Sequence, residues 1–211
     1  MTTVFRYLAM AGALAVALDS SAALAQTGLD SAKVPPVPTD IQVPAGNTLF
    51  LKGRAQGTQS YICLPATSGF DWKFVAPQAT LFFDLKLGSI DFHQQIITHF
   101  LSPNPDEAST PRATWQGSID TSAVWAKAVV ISSDPAFVAP GAIPWLRLEA
   151  VGTERGPNGG DLLAHTTFVQ RLNTAGGIAP VAGCSSVGNV GATALVPYTA
   201  DYFFYKATKT Q

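Results

Sequence analysis

Charge is scarce in this chain. Of its 211 residues 13% are charged, and 13 Lys plus Arg nearly balance 14 Asp plus Glu. A formal net charge of −1 leaves no basic excess to hold phosphates, which argues against a nucleic-acid partner. Catalytic signatures are scarce as well. There is no Gly-x-Ser-x-Gly elbow. No Gly-Lys-Ser/Thr follows a glycine-rich turn, and no strand runs into Gly-x-Gly-x-x-Gly, so phosphate loops and dinucleotide folds are excluded. Asp84, Asp91, Asp106 and Glu107 are too scattered for a calcium loop. No internal repeat is visible, and no stretch after the first 25 residues keeps a 3.6-residue period beyond about two turns. No cofactor is expected.

What is present starts with an export signal. Arg6 supplies positive charge, Leu8 to Leu18 is an apolar core too short to span a bilayer, and Ala23-Leu24-Ala25 is a small-x-small cleavage site. Residues 1–25 are therefore read as a signal peptide, with no cysteine nearby to take a lipid. No transmembrane anchor is expected after cleavage, and the mature chain is expected in the periplasm or the medium. Residues 26–42, with Pro35-Pro36 and Pro38, read as an extended lead-in. Residues 43–211 are one domain by length.

The two cysteines, Cys63 and Cys184, are expected to pair, as cysteines of exported proteins usually do. The closed loop of about 120 residues is worth on the order of 4–5 kcal/mol in the chain-entropy model. Cys184 ends the stretch Phe168 to Cys184, where a strand stops at Asn173-Thr174 before the double glycine Gly176-Gly177.

Short strand-like runs punctuated by Gly and Pro fill the rest. They predict an all-β fold, an antiparallel sandwich or flattened barrel of about ten strands with long loops. Asn47 to Ala55 and Thr58 to Leu64 read as separate strands around Gln56-Gly57, as do Phe70 to Phe74 and Leu81 to Leu87 around Ala76-Pro77. Gly88-Ser89 reads as a hairpin turn. Ser102 to Arg112, with three prolines, reads as a long loop. In Leu195 to Ala207, Tyr198, Tyr202 and Phe204 share one face and Asp201, Phe203 and Tyr205 the other.

Five stretches carry a resemblance. They are W-K-F-V-A-P-Q-A-T-L from Trp72, His99-Phe100 with T-W-Q-G-S-x-D ending at Asp120, and I-P-W-L from Ile143. The other two are Q-R-L-N-T-x-G-G-x-A-P from Gln170 with Cys184, and V-P-Y-T-A-D-Y-F-F-Y from Val196 to Tyr205. Over about Val43 to Tyr205 the chain resembles the secreted bacterial and fungal family catalogued as domain of unknown function 3455. The Pro-rich insert between His99 and Trp115 departs from its shorter pattern. The resemblance implies an exported domain with no settled activity. Some fungal relatives carry a malate dehydrogenase label, which the missing dinucleotide fingerprint does not support.

Candidate chemistry centres on few residues. His93 and His99 fall on one side of one strand, ~20 Å apart if it is straight, too far for one metal unless a bulge or His165 intervenes. No metal site is assigned. His99 with Asp120 or Asp201 would make an acid/base pair, with Ser118 as nucleophile; the alternative is that these groups fix loop geometry. Gln170, Arg171, Asn173, Gly176 and Gly177 either line a pocket floored by bare backbone or simply build a tight turn. Arg171 is a possible partner for Asp201 or Glu149. Trp115 belongs to a large set of aromatics, with Trp72, Trp125, Trp145, Tyr198, Tyr202 and Tyr205, that are core or a rim platform for sugars or a partner. The leading expectation is a non-catalytic binding or surface-associated module for a small molecule, glycan or protein. A hydrolase-like enzyme using His99 and a purely structural envelope protein are the alternatives.

Overall fold

The computed structural model describes residues 33–208. The signal expected over 1–25 and the start of the lead-in lie outside the described residues. Eight antiparallel strands follow: β1 (Asn47–Ala66), β2 (Gly69–Leu87), β3 (Ile90–Asn104), β4 (Thr110–Gly117), β5 (Ala123–Ser132), β6 (Trp145–Glu154), β7 (Thr166–Gly176) and β8 (Thr193–Ala207). Each pairs with the next, and β8 returns to β1, so the sheet closes into a barrel. Among the described residues no helix is long and apolar enough to cross a membrane.

Of the two architectures expected the chain adopts the barrel and not the sandwich, and its strands number eight rather than about ten, because two apparent breaks are not breaks. Gly57 lies inside β1, opposite Ala79. A Cβ there would lie 2.6 Å from the Ala79 Cα, so glycine lets β2 pass close. Pro77 lies inside β2, opposite Gln59. Pairing of β2 with β3 starts only at Ala79–His99, so the missing proline N–H falls where β2 has no neighbour on that side. The turn at Gly88-Ser89 joins Leu87 to its partner Ile90 as expected.

The Pro-rich insert is a hairpin rather than a loop. Ser102 pairs with Arg112, Pro103 with Pro111 and Asn104 with Thr110. Asn104 closes its tip, accepting from Asp106 N at 3.1 Å and donating to Glu107 at 2.8 Å. The tip folds over the outer face of β5 and β6. There Trp125 Nε1 donates to Ser102 Oγ (2.9 Å) and Asn104 Nδ2 to Val151 O (3.2 Å).

Alternation along β8 builds two cores. Tyr198, Ala200, Tyr202 and Phe204 point inward and join Leu51, Leu81, Ile97, Trp115, Val124, Leu148 and Val169. Phe203 and Tyr205 point outward and are buried as well, with Trp145 and Leu172. Their cover is the lead-in, whose Val34, Val37, Ile41 and Val43 lie across them. Ile41 is fully buried, worth ~1.5–3 kcal/mol relative to exposure. Arg147 Nη1 holds the strap through the Asp40 and Gln42 carbonyls.

Cys63 and Cys184 form a disulfide across 121 residues of sequence. It fastens the long β7–β8 connection to the end of β1. Gly191 N also donates to Cys63 O at 2.9 Å, and Trp72 Nε1 to Ala182 O at 3.0 Å.

Candidate functional site

An eight-stranded barrel has an interior just wide enough for its own side chains or for one small ligand. Here one part is filled by Leu51, Leu81, Ile97, Val124, Val169 and Phe204. Toward the β1–β2 and β5–β6 connections the filling stops. Three wall positions there are alanine, Ala113, Ala126 and Ala128, and a cavity of about 280 Å³ remains. Trp115, His99 and Tyr202 close its deep end and are all but inaccessible. Phe74, Leu101, Leu146 and Leu148 supply apolar wall. Gln59, Arg171, Arg112 and Lys127 supply the remaining polarity, and among the described residues no carboxylate lines the cavity. Phe74 and Leu101 are partly open to solvent, at the place where β2 and β3 separate above Ala79–His99.

His99 lies parallel to Trp115, ring centroids 4.3 Å apart, and edge-on to Tyr202 at 5.2 Å. Its Nδ1 is 2.8 Å from the Thr114 carbonyl. A carbonyl oxygen only accepts, so Nδ1 carries the proton and Nε2 a bare lone pair. Burial drives the imidazole pKa down to about 3; the Thr114 hydrogen bond opposes the shift and the Arg171 charge adds to it. His99 is a neutral aromatic wall at ordinary pH.

Neither expected carboxylate is its partner. The Asp120 carboxylate accepts from Ser122 N (3.2 Å), Ser122 Oγ (2.9 Å) and Leu162 N (2.8 Å), tying the β4–β5 turn to the segment before β7. Asp201 faces outward from β8, 2.9 Å from Lys52 Nζ and 2.9 Å from Asn173 Nδ2. Ser118 accepts from Gln95 at 3.2 Å. The histidine, the carboxylates and the serine therefore build separate local structures, as side chains that hydrogen-bond turns do. His93 pairs with Asp84 at 2.5 Å and stacks on Phe82.

The residues before the double glycine divide between the two faces of β7. Gln170 faces outward under the strap, where its Nε2 donates to Ile41 O (2.7 Å) and its Oε1 accepts from Tyr205 (2.6 Å). Arg171 faces inward. Its Nε and Nη2 share the Pro144 carbonyl at 3.2 and 2.9 Å, and among the described residues no carboxylate pairs with it, Asp201 and Glu149 included. Its charge reaches the interior phenols: burial raises the pKa of Tyr202, and Arg171 works against the rise. Gly176 and Gly177 have φ of +68° and +86°, as the turn reading requires. The Gly177 carbonyl accepts from Tyr61 at 2.6 Å. Of the seven aromatics, Trp115, Trp125, Trp145, Tyr198, Tyr202 and Tyr205 are buried, and Trp72 is half-buried.

Gln59 was not singled out by sequence reasoning. It is 3% exposed; its side chain approaches the Tyr198 hydroxyl, and its Nε2 makes no hydrogen bond of ordinary geometry to a described residue. The Trp115 Nε1 is buried and unpartnered in the same way. Leaving such a donor unpaired costs ~1–3 kcal/mol. The signal for Gln59 was its spacing of two from Tyr61, which puts both on the inner face.

Comparison with curated proteins finds no match, and neither does comparison with solved structures. A family model does match, over residues 44–206, which takes in the whole barrel except Ala207, the last residue of β8. By that match the chain belongs to the family described as Protein of unknown function (DUF3455).

Proposed function

We propose that this protein is an exported, non-catalytic binding module that holds a small, largely apolar ligand inside the barrel. One observation carries the reading: a cavity of about 280 Å³ with a mostly apolar lining and a few polar side chains, Gln59, His99 and Arg171 among them. Ligand pockets of proteins are of this kind, mostly apolar with a few polar groups, and start at ~300 Å³. Export is supported by the signal pattern of residues 1–25 and by the Cys63–Cys184 bond. The hydrolase alternative draws no support from His99, whose hydrogen bond goes to backbone and which stays neutral.

The test is titration of the mature chain with the neutral apolar dye Nile red, beside the variant Ala113→Phe. Ala113 lines the cavity and is partly buried, so a phenyl ring there fills the space. Saturable one-to-one binding by the wild type, lost in a variant of unchanged circular dichroism, is the expected result. Binding that does not saturate, or that Ala113→Phe leaves intact, would refute the reading.

A further inference from the structure

We propose that the cavity is built for a small amphipathic anion, a monocarboxylic acid whose carboxylate meets Arg171 while its apolar body lies along Phe74, Leu101 and Leu148. The proposal rests on the cavity reading above and adds the sign of the ligand's charge and the group that reads it.

The argument begins with an imbalance. A partly buried cation is costly unless paired. Lys52, Arg54 and Arg112 each have a carboxylate within 2.9 Å. Arg171 has none among the described residues; its neutral partners are the shared Pro144 carbonyl and the Tyr202 hydroxyl. The cavity itself cannot correct this, because among the described residues its lining contains no Asp or Glu. Of its other cations, Arg112 is held at the rim by two hydrogen bonds to Glu107, and Lys127 is exposed. Its other polar side chains are neutral and mixed, Gln59 with an amide and His99 with the lone pair of Nε2. The cavity therefore has a surplus of positive charge.

That surplus selects among guests. A cationic ligand meets no counter-charge. A neutral alcohol leaves Arg171 unpaired. A phosphate dianion brings a second charge that only exposed Lys127 could meet. A carboxylate brings one charge and two acceptor oxygens, the complement of one guanidinium. The apolar lining and the modest volume confine the rest of the molecule to a single ring or a medium-length chain.

Calorimetric titration of the mature chain, unfolded and refolded to strip carried guests, tests this without knowledge of the natural ligand. The probes are hexanoate, octanoate, benzoate and 3-phenylpropionate, each beside its primary amide. At least one acid is expected to bind ten-fold or more tighter than its amide. Arg171→Met is expected to abolish that ratio while the amide's affinity holds within about two-fold. Equal affinity of acid and amide for the wild type would overturn the carboxylate assignment and leave the cavity reading standing. No binding by any acid or amide would overturn both. Should Arg171→Met not fold, the acid-to-amide ratio of the wild type decides alone.

Discussion

Two glycines of this protein have the same backbone angle and different surroundings, which allows a backbone cost to be separated from a packing cost. Gly177 has φ +86° and Gly46 has φ +85°. A Cβ built on Gly46 meets nothing within 4 Å. One built on Gly177 lies 2.9 Å from Tyr198 Cβ, 3.0 Å from Ile143 Cγ2 and 3.3 Å from Gln59 Cγ. Holding alanine at positive φ costs roughly 1–2 kcal/mol at either site. Forcing a methyl into a filled site adds roughly 1–3 kcal/mol. Gly46→Ala should therefore cost about 1–2 kcal/mol and Gly177→Ala about 2–5 kcal/mol, with Gly177→Val worse still. Urea unfolding followed by tryptophan fluorescence reads both. With an m-value of ~2 kcal/mol/M, the midpoint falls by about 0.5–1 M in Gly46→Ala and by about 1–2.5 M in Gly177→Ala. Equal shifts in the two variants would refute the packing argument. An unchanged midpoint in Gly177→Ala would refute the strained turn altogether.

Three further outcomes are expected. His99 has a folded-state pKa of about 3 against 6.5 in the unfolded chain, so the unfolded state takes up the proton first on acidification. Its share of the stability is intact above pH 6.5 and is lost progressively between pH 6.5 and 3, about 2 kcal/mol by pH 5; His99→Phe should flatten that part of the stability–pH curve, and an identical slope would count against it. Gln59→Leu removes a buried amide whose Nε2 has no hydrogen bond of ordinary geometry and should raise the melting temperature of the ligand-free protein by a few degrees, for ~1 kcal/mol; a fall would mean that its contact with the Tyr198 hydroxyl outweighs the unpaired N–H. Replacing Cys63 and Cys184 by serine opens a loop of 121 residues and should lower the melting temperature by roughly 10–20 °C, for ~4–5 kcal/mol; a drop of under 2 °C would mean that the β7–β8 connection is held without it.

The sequence made some of this legible and hid the rest for physical reasons. Period-two alternation was clear where both faces are large and apolar, as in β8, and its two faces are the two cores. The cysteine pair and the Gly88-Ser89 turn were legible because each depends on few residues. Strand number was not, because Gly57 and Pro77 punctuate a sequence whether or not the chain turns; only the neighbouring strand decides. Ser102 to Arg112 looked like a loop because its contacts, Trp125 and Val151, are distant in sequence. Gln170 and Arg171 were read as one group, and only the strap that covers Gln170 on the outer face separates their roles. The cavity was the least legible feature. It is a deficit of side-chain volume at Ala113, Ala126 and Ala128, on two neighbouring strands, and no single residue announces it.

Closure of the barrel has a consequence for the order in which the chain becomes a protein. The longest strand, β1, leaves the ribosome early, yet one whole side of its backbone is satisfied by β8, the last strand made. Until residues 193–207 exist, both β1 and β7 present open edges of the kind that recruit other chains. The seam joins positions as far apart as Asn47 and Ala207, so it is among the most entropically expensive contacts to form and a natural last step. A chain cut short before Thr193 should therefore be adhesive rather than merely unstable, and one kept from folding until it is complete avoids the hazard.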